Sequence, residues 1–138
     1  MVKITVVDNE FATTWCYPSK RLVHHAFHQF CSGDDFRNIM IKGAEALEAY
    51  NCTKWLSDDR KIGLAPPEDV EWGRHHWTPR VLKAGWKYLA MVLPEKVIGQ
   101  MFHASLVDEF SKMGVEAQIF STPDEGMVWL ESKSSILR

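Results

Sequence analysis

Cysteine is scarce in this chain and follows no pattern. Cys16, Cys31 and Cys52 are the three cysteines among 138 residues. Their number is odd and their spacing matches neither a CxxC pair nor a zinc-ligand set, which argues against a disulfide framework or a structural zinc site. Reduced, buried thiols in a cytoplasmic protein are the expectation. Long apolar runs are missing too. The run Ile4 to Val7 is closed by Asp8-Asn9-Glu10, too short for a signal peptide. No stretch approaches the ~20 apolar residues of a membrane span. Nor is there an excess of one charge: 16 Lys and Arg against 18 Asp and Glu leave a net charge of −2. Without a basic run or face, general nucleic-acid binding is not expected. P-loop, GxGxxG and nucleophile-elbow motifs are absent, as are internal repeats and low-complexity linkers.

What remains describes a single domain. A chain of this length buries roughly two-thirds of its unfolded surface and needs no covalent staple. Hydrophobic content of 46% and charged content of 25% are ordinary. The six tryptophans, Trp15, Trp55, Trp72, Trp77, Trp86 and Trp129, are not. Large aromatics give a small domain much burial per residue, and clusters of them also line binding surfaces. The core is expected to take most of them.

Along the chain, Val2 to Val7, Phe11 to Tyr17 and Arg21 to Phe30 read as three strands with short turns, an antiparallel meander over 1–31. Ser32-Gly33-Asp34-Asp35 opens a helix, with Ser32 as its expected cap and acids at its positive end. Phe36, Ile39, Met40, Gly43, Ala44, Leu47 and Tyr50 recur at helical spacing, and Asn51 is the stop. Trp55 and Leu56 lie in a short fourth strand. Pro66-Pro67 starts another helix, which Pro79 is expected to kink or break near Trp77. Gly85 ends it. The continuous apolar run Tyr88 to Leu93 suits a central parallel strand. Helical segments follow from Glu95 to Met113, interrupted near Phe102 to Ser105, with Gly114 as the stop. Val115 to Phe120 is the last strand. Thr122-Pro123-Asp124-Glu125 is a helix start with cap, proline and acid in place. The order over 32–132 alternates helix and strand, which predicts parallel pairing, and 133–138 is a tail. The fold class is α/β, with the order βββαβαβαβα.

Trp55-Leu56-x-Asp58-x-Arg60, Pro67-Glu68-Asp69-x-Glu71-Trp72, Trp77-x-Pro79-Arg80, Ala84-Gly85, Leu93-Pro94 and the element Phe120 to Leu130 together resemble the SpoIIAA-like (STAS/SEC14-like) branch of the STAS superfamily of anti-sigma factor antagonists. The resemblance spans about Ser32 to Leu130. It implies a STAS-like mixed sheet and a binding or signalling role rather than a defined activity. Regulatory STAS proteins are switched by phosphorylation of a serine or threonine at the start of the helix after the fourth strand. Here Asp58 to Pro67 holds no hydroxyl residue, and Ser57 is the nearest. The resemblance therefore does not carry the usual phosphorylation switch with it.

Candidate chemistry is sparse. On a helix His24 and His28 would share a face as metal ligands. On a strand, neighbours His24 and His25 point apart, and His24 and His28 lie about 13 Å apart at ~3.3 Å per residue. No metal site and no cofactor is expected. Asp58, Asp59 and Arg60 stand at the carboxyl end of a parallel strand, where α/β proteins place ligands. They suit a polar ligand; they also suit a turn in which Asp accepts backbone N–H bonds and Arg60 pairs with an acid. Trp72, Trp77 and Trp86, with Met101 and Phe102, can line an apolar pocket or simply pack on the sheet. The expected function is a non-enzymatic binding or regulatory module, homodimeric. It would take a small apolar or anionic ligand, or a regulatory protein, at Asp58, Arg60, Trp72, Trp77, Pro94 and Met101. The alternative is a small-molecule enzyme with Asp58 or Asp59 as acid/base and Arg60 as anion anchor.

Overall fold

A computed structural model describes residues 2–100 and 103–134. Three strands open the chain: β1 (Ile4–Asp8), β2 (Ala12–Tyr17) and β3 (Leu22–Phe27). Helix α1 (Gly33–Ala49) leads to β4 (Lys54–Asp58). Then come α2 (Pro67–Trp72), a π-helical stretch Gly73–Trp77 and α3 (Thr78–Ala84). They are followed by β5 (Tyr88–Val92), α4 (Glu95–Ile98), α5 (His103–Lys112), β6 (Glu116–Phe120) and α6 (Pro123–Glu131). The six strands form one sheet in sequential order. β1–β2 and β2–β3 are antiparallel, and β3–β4, β4–β5 and β5–β6 are parallel. The mixed α/β sheet expected from the sequence is thus present.

Strand alternation sends successive side chains to opposite faces. Val23, Trp55 and Leu89 enter one core, and Leu22, Leu56 and Ala90 the other. The first core lies under α1, the α2–π–α3 run and α5, the layer to which Ile39, Leu47, Trp77, Val81 and Phe110 belong. The second lies under α6, which packs on β4, β5 and β6. Three tryptophans are fully in the first core. Trp55 meets Trp77 edge to face at 5.0 Å, and Trp77 meets Trp86 at 5.6 Å. Gly43 makes room for this stack, since a Cβ there would fall 2.5 Å from the Trp55 ring.

Several local expectations shift. The third strand is shorter than Arg21 to Phe30, because Arg21 takes a left-handed φ of 52° and the chain leaves the sheet after Phe27. Ser32 occupies the N-cap position without a side-chain bond. Gly33 N–H instead donates to the carboxylate of Asp69, at 3.1 Å to Oδ2. A buried acid on α2 therefore caps α1 from across the layer. The expected kink or break near Trp77 takes the form of the π-helical stretch Gly73–Trp77, which separates α2 from α3. The missing N–H and the bulk of the Pro79 ring are accommodated by the wider π turns just before it, and the chain stays helical to Ala84. The break between the later helices begins at Gly99, ahead of the expected Phe102 to Ser105, and α5 is helical from His103. Phe102 itself lies outside the described residues. The Thr122 cap at α6 forms as read: Thr122 Oγ1 accepts from Glu125 N–H at 3.3 Å and donates to its carboxylate at 2.9 Å. No helix among the described residues is long and apolar enough to cross a membrane.

Candidate functional site

β4 ends in Ser57 and Asp58 and passes directly into Asp59 and Arg60, so alternation splits these residues between the two faces. Asp58 shares the Leu56 face. It is buried, and Arg60 folds back over it, donating from Nε and Nη2 to the two carboxylate oxygens at 2.8 Å each. Burial raises the Asp58 pKa, but the hydrogen bonds and charge of Arg60 more than offset it. The carboxyl ends below its usual range. An ionised carboxylate with both oxygens engaged is a poor proton acceptor.

Ser57 faces the other way, toward His25, and Asp59 bends into the same group. Trp55 Nε1–H donates to His25 Nδ1 at 3.0 Å. An indole can only donate, so Nδ1 carries no proton and the proton sits on Nε2. From there it faces Asp59 Oδ1 at 2.8 Å and Ser57 Oγ at 3.0 Å. Ser57 in turn donates to Asp59 Oδ2 at 2.6 Å. Serine, histidine and aspartate are together, yet not as a catalytic triad. In a triad the acid orients Nδ1 and the histidine takes the serine proton. Here a tryptophan holds Nδ1, and the serine proton points to the acid. Ser57 is also only 7% exposed, which removes it as a phosphorylation target in the folded chain. The sequence reading missed His25 in this network. The strand register offers the signal: His25 lies opposite Ser57 in the parallel β3–β4 pair.

His24, on the opposite face, is packed against Trp15 with ring centroids 4.7 Å apart. Among the described residues neither of its ring nitrogens has a hydrogen-bond partner. Burial first, then the charges of His25 and Lys3, lowers its pKa to about 4 against an opposing pull from Asp58. His28 pairs with Thr13 at 2.8 Å, and His75 with Glu71 at 3.0 Å. Among the described residues no three His, Cys, Asp or Glu side chains gather as a metal site. Cys16 and Cys52 lie 3.8 Å apart in the core, and the contact with Cys16, followed by burial, pushes the Cys52 thiol far up. A thiolate nucleophile at Cys52 has no support there.

The expected site residues do not all meet. Asp58 and Arg60 line a cleft of about 210 Å³ with Ala26, Phe27, His28 and Lys61. Trp72 and Trp77 lie in the helical layer on the other face. Trp77 is buried, with its indole N–H donated to the Met40 carbonyl at 2.8 Å. Trp72 packs against Phe36 and under Arg37. Pro94 precedes α4 at the end of β5 and accepts from Ile98 N–H at 3.0 Å. Met101 lies outside the described residues. More voluminous clefts lie elsewhere, one of them beside α6 at about 590 Å³.

No family model matches the chain, and no curated protein and no solved structure matches it at a significant level.

Proposed function

We propose that the chain is a non-enzymatic binding module, of the STAS-like, SpoIIAA-like kind that its motifs resemble, and that it takes a small anionic ligand at the end of β4. The observation that carries this reading is the cleft in which Arg60, Lys61 and His28 stand together. Asp58 fixes the Arg60 guanidinium through Nε and Nη2, and no hydrogen bond joins Nη1 to a described residue. A pre-oriented guanidinium edge beside an exposed lysine suits a carboxylate or phosphate. An apolar ligand has less support, because Trp77 is spent on the core. The enzyme alternative has less support too, because Asp58 and Asp59 have their oxygens engaged by Arg60, His25 and Ser57.

The test is a thermal-shift and calorimetric screen of small dicarboxylates and organic phosphates. At least one is expected to bind, and Arg60→Ala with Lys61→Ala to weaken it by about tenfold or more. A screen without a binder, or binding that survives both substitutions, would overturn the reading. The homodimer that accompanies it is checked by mass measured across a dilution series, where a monomer at every concentration removes it.

A further inference from the structure

Around the C-terminal end of β6 lies a grooved surface of two clefts, about 590 Å³ and 330 Å³, whose linings share Phe120 and Glu125. Its apolar wall is Ile119, Phe120, Val128 and Trp129; its charged lining is Glu95, Asp124 and Glu125. Among the described residues no lysine or arginine lines either part. Val128 stands 68% exposed at the centre of α6, an unusual position for a branched apolar side chain on a helix this short. One Glu125 oxygen is used by Thr122 and Ser121 in the helix cap. Lys133 lies over the Trp129 ring at 4.9 Å and is paired with Glu116 at 2.7 Å.

The charge pattern selects among occupants. A second copy docked through the α6 N-terminal turn would bring Asp124 and Glu125 against their own counterparts, a like-charge arrangement that disfavours self-pairing, whereas Glu131 is already held by Lys20 at 2.8 Å. A segment with apolar anchors and basic flanks meets no such penalty. We propose that this groove docks a basic amphipathic segment of a partner protein. An apolar side chain would sit against Val128 and Trp129, with lysine or arginine facing Glu95, Asp124 and Glu125.

The probe is a fluorescent leucine–lysine peptide of helical amphipathic period, followed by anisotropy against the full chain. Saturable binding that weakens with salt is expected. Asp124→Lys should weaken it about tenfold. Val128→Glu is the decisive variant, because it adds an acid while removing the anchor. Docking predicts about tenfold weaker binding; mere attraction of a basic peptide to an acidic surface predicts equal or tighter binding, which would overturn the proposal. So would the absence of saturable binding, or equal binding of a peptide with glutamate in place of lysine. A mass that falls on dilution for the parent chain but not for Val128→Glu would assign the groove to a second copy instead.

Discussion

On one face of the sheet, indoles meet edge to face beneath α1, the π-containing run and α5. On the other, α6 packs on β4, β5 and β6, and His24 and Asp58 share that face with Trp15 against His24. The same strands feed both sides, residue by residue. The comparison separates two uses of aromatic and polar residues that the sequence alone presents as one cluster. On the crowded face even polar atoms serve packing: Trp77 N–H holds α1, and His25, Ser57 and Asp59 satisfy one another around Trp55. On the open face Arg60 and Lys61 remain within reach of solvent.

The largest expected effect tests the crowded face. Trp55→Ala removes a fully buried indole and leaves His25 Nδ1 without its donor. A loss of about 3–5 kcal/mol is expected in urea denaturation. A loss below about 1 kcal/mol would mean that the stack is not the main core.

Next is the open face, probed with pH. His24 has its folded pKa lowered to about 4, against about 6.5 when unfolded. Above pH 6.5 both states are neutral and the group has no effect. Between 6.5 and 4 the unfolded chain takes up the proton and the folded one does not, so stability falls as pH falls, by at most about 3 kcal/mol. Asp58, whose pKa is lowered, loses its contribution only below the usual carboxylate range, so the two windows differ. His24→Phe should flatten the higher window. An unchanged slope in that variant would show that His24 is not buried as described.

Two glycines put the faces side by side. A Cβ at Gly43 would meet the Trp55 ring at 2.5 Å, and one at Gly126 would meet Leu56 Cδ1 at 2.7 Å. The first neighbour is a rigid indole locked by a hydrogen bond; the second is the end of a leucine that can change rotamer. Gly43→Ala should therefore cost about 1–3 kcal/mol. Gly126→Ala should cost less, because the gain of about 1 kcal/mol in helix propensity offsets part of the shift imposed by Leu56 and by the Ala90 Cβ at 3.3 Å. Thermal melts of both variants decide it, and equal losses would erase the distinction.

Much of this fold was legible because it rests on local rules. The period-2 strands, the Thr122 cap and the Gly85 and Gly114 stops each depend on a few adjacent residues. The pairing of Asp58 with Arg60 was legible for the same reason. What could not be read depends on which face a residue takes once strands are in register. Trp72 and Trp77 lie near Asp58 in the sequence, yet the sheet runs between them. His25 looked like one of several scattered histidines until β3 aligned it with Ser57. The π stretch before Pro79 is likewise a compromise between a proline and the packing of Trp77, and no local motif announces it.

Asp69 gives the smallest and sharpest prediction on the crowded face. Acids in a first helical turn are favoured by the helix dipole alone, and that account suffices for Glu68, which is exposed. It does not suffice for Asp69, which is 3% exposed and accepts from Gly33 N–H at the start of another helix. Its work is to join α2 to α1, and the neighbouring Arg37 lies 3.7 Å away as a looser counterion. Asp69→Ala should cost about 1–2 kcal/mol, as the loss of a helix cap does. Asp69→Asn keeps an acceptor and should cost less than half as much, whereas Glu68→Ala should be nearly silent. Chemical denaturation of the three variants separates the accounts. If Glu68→Ala and Asp69→Ala lose the same stability, the dipole explains both, and the clamp between the helices contributes nothing of its own.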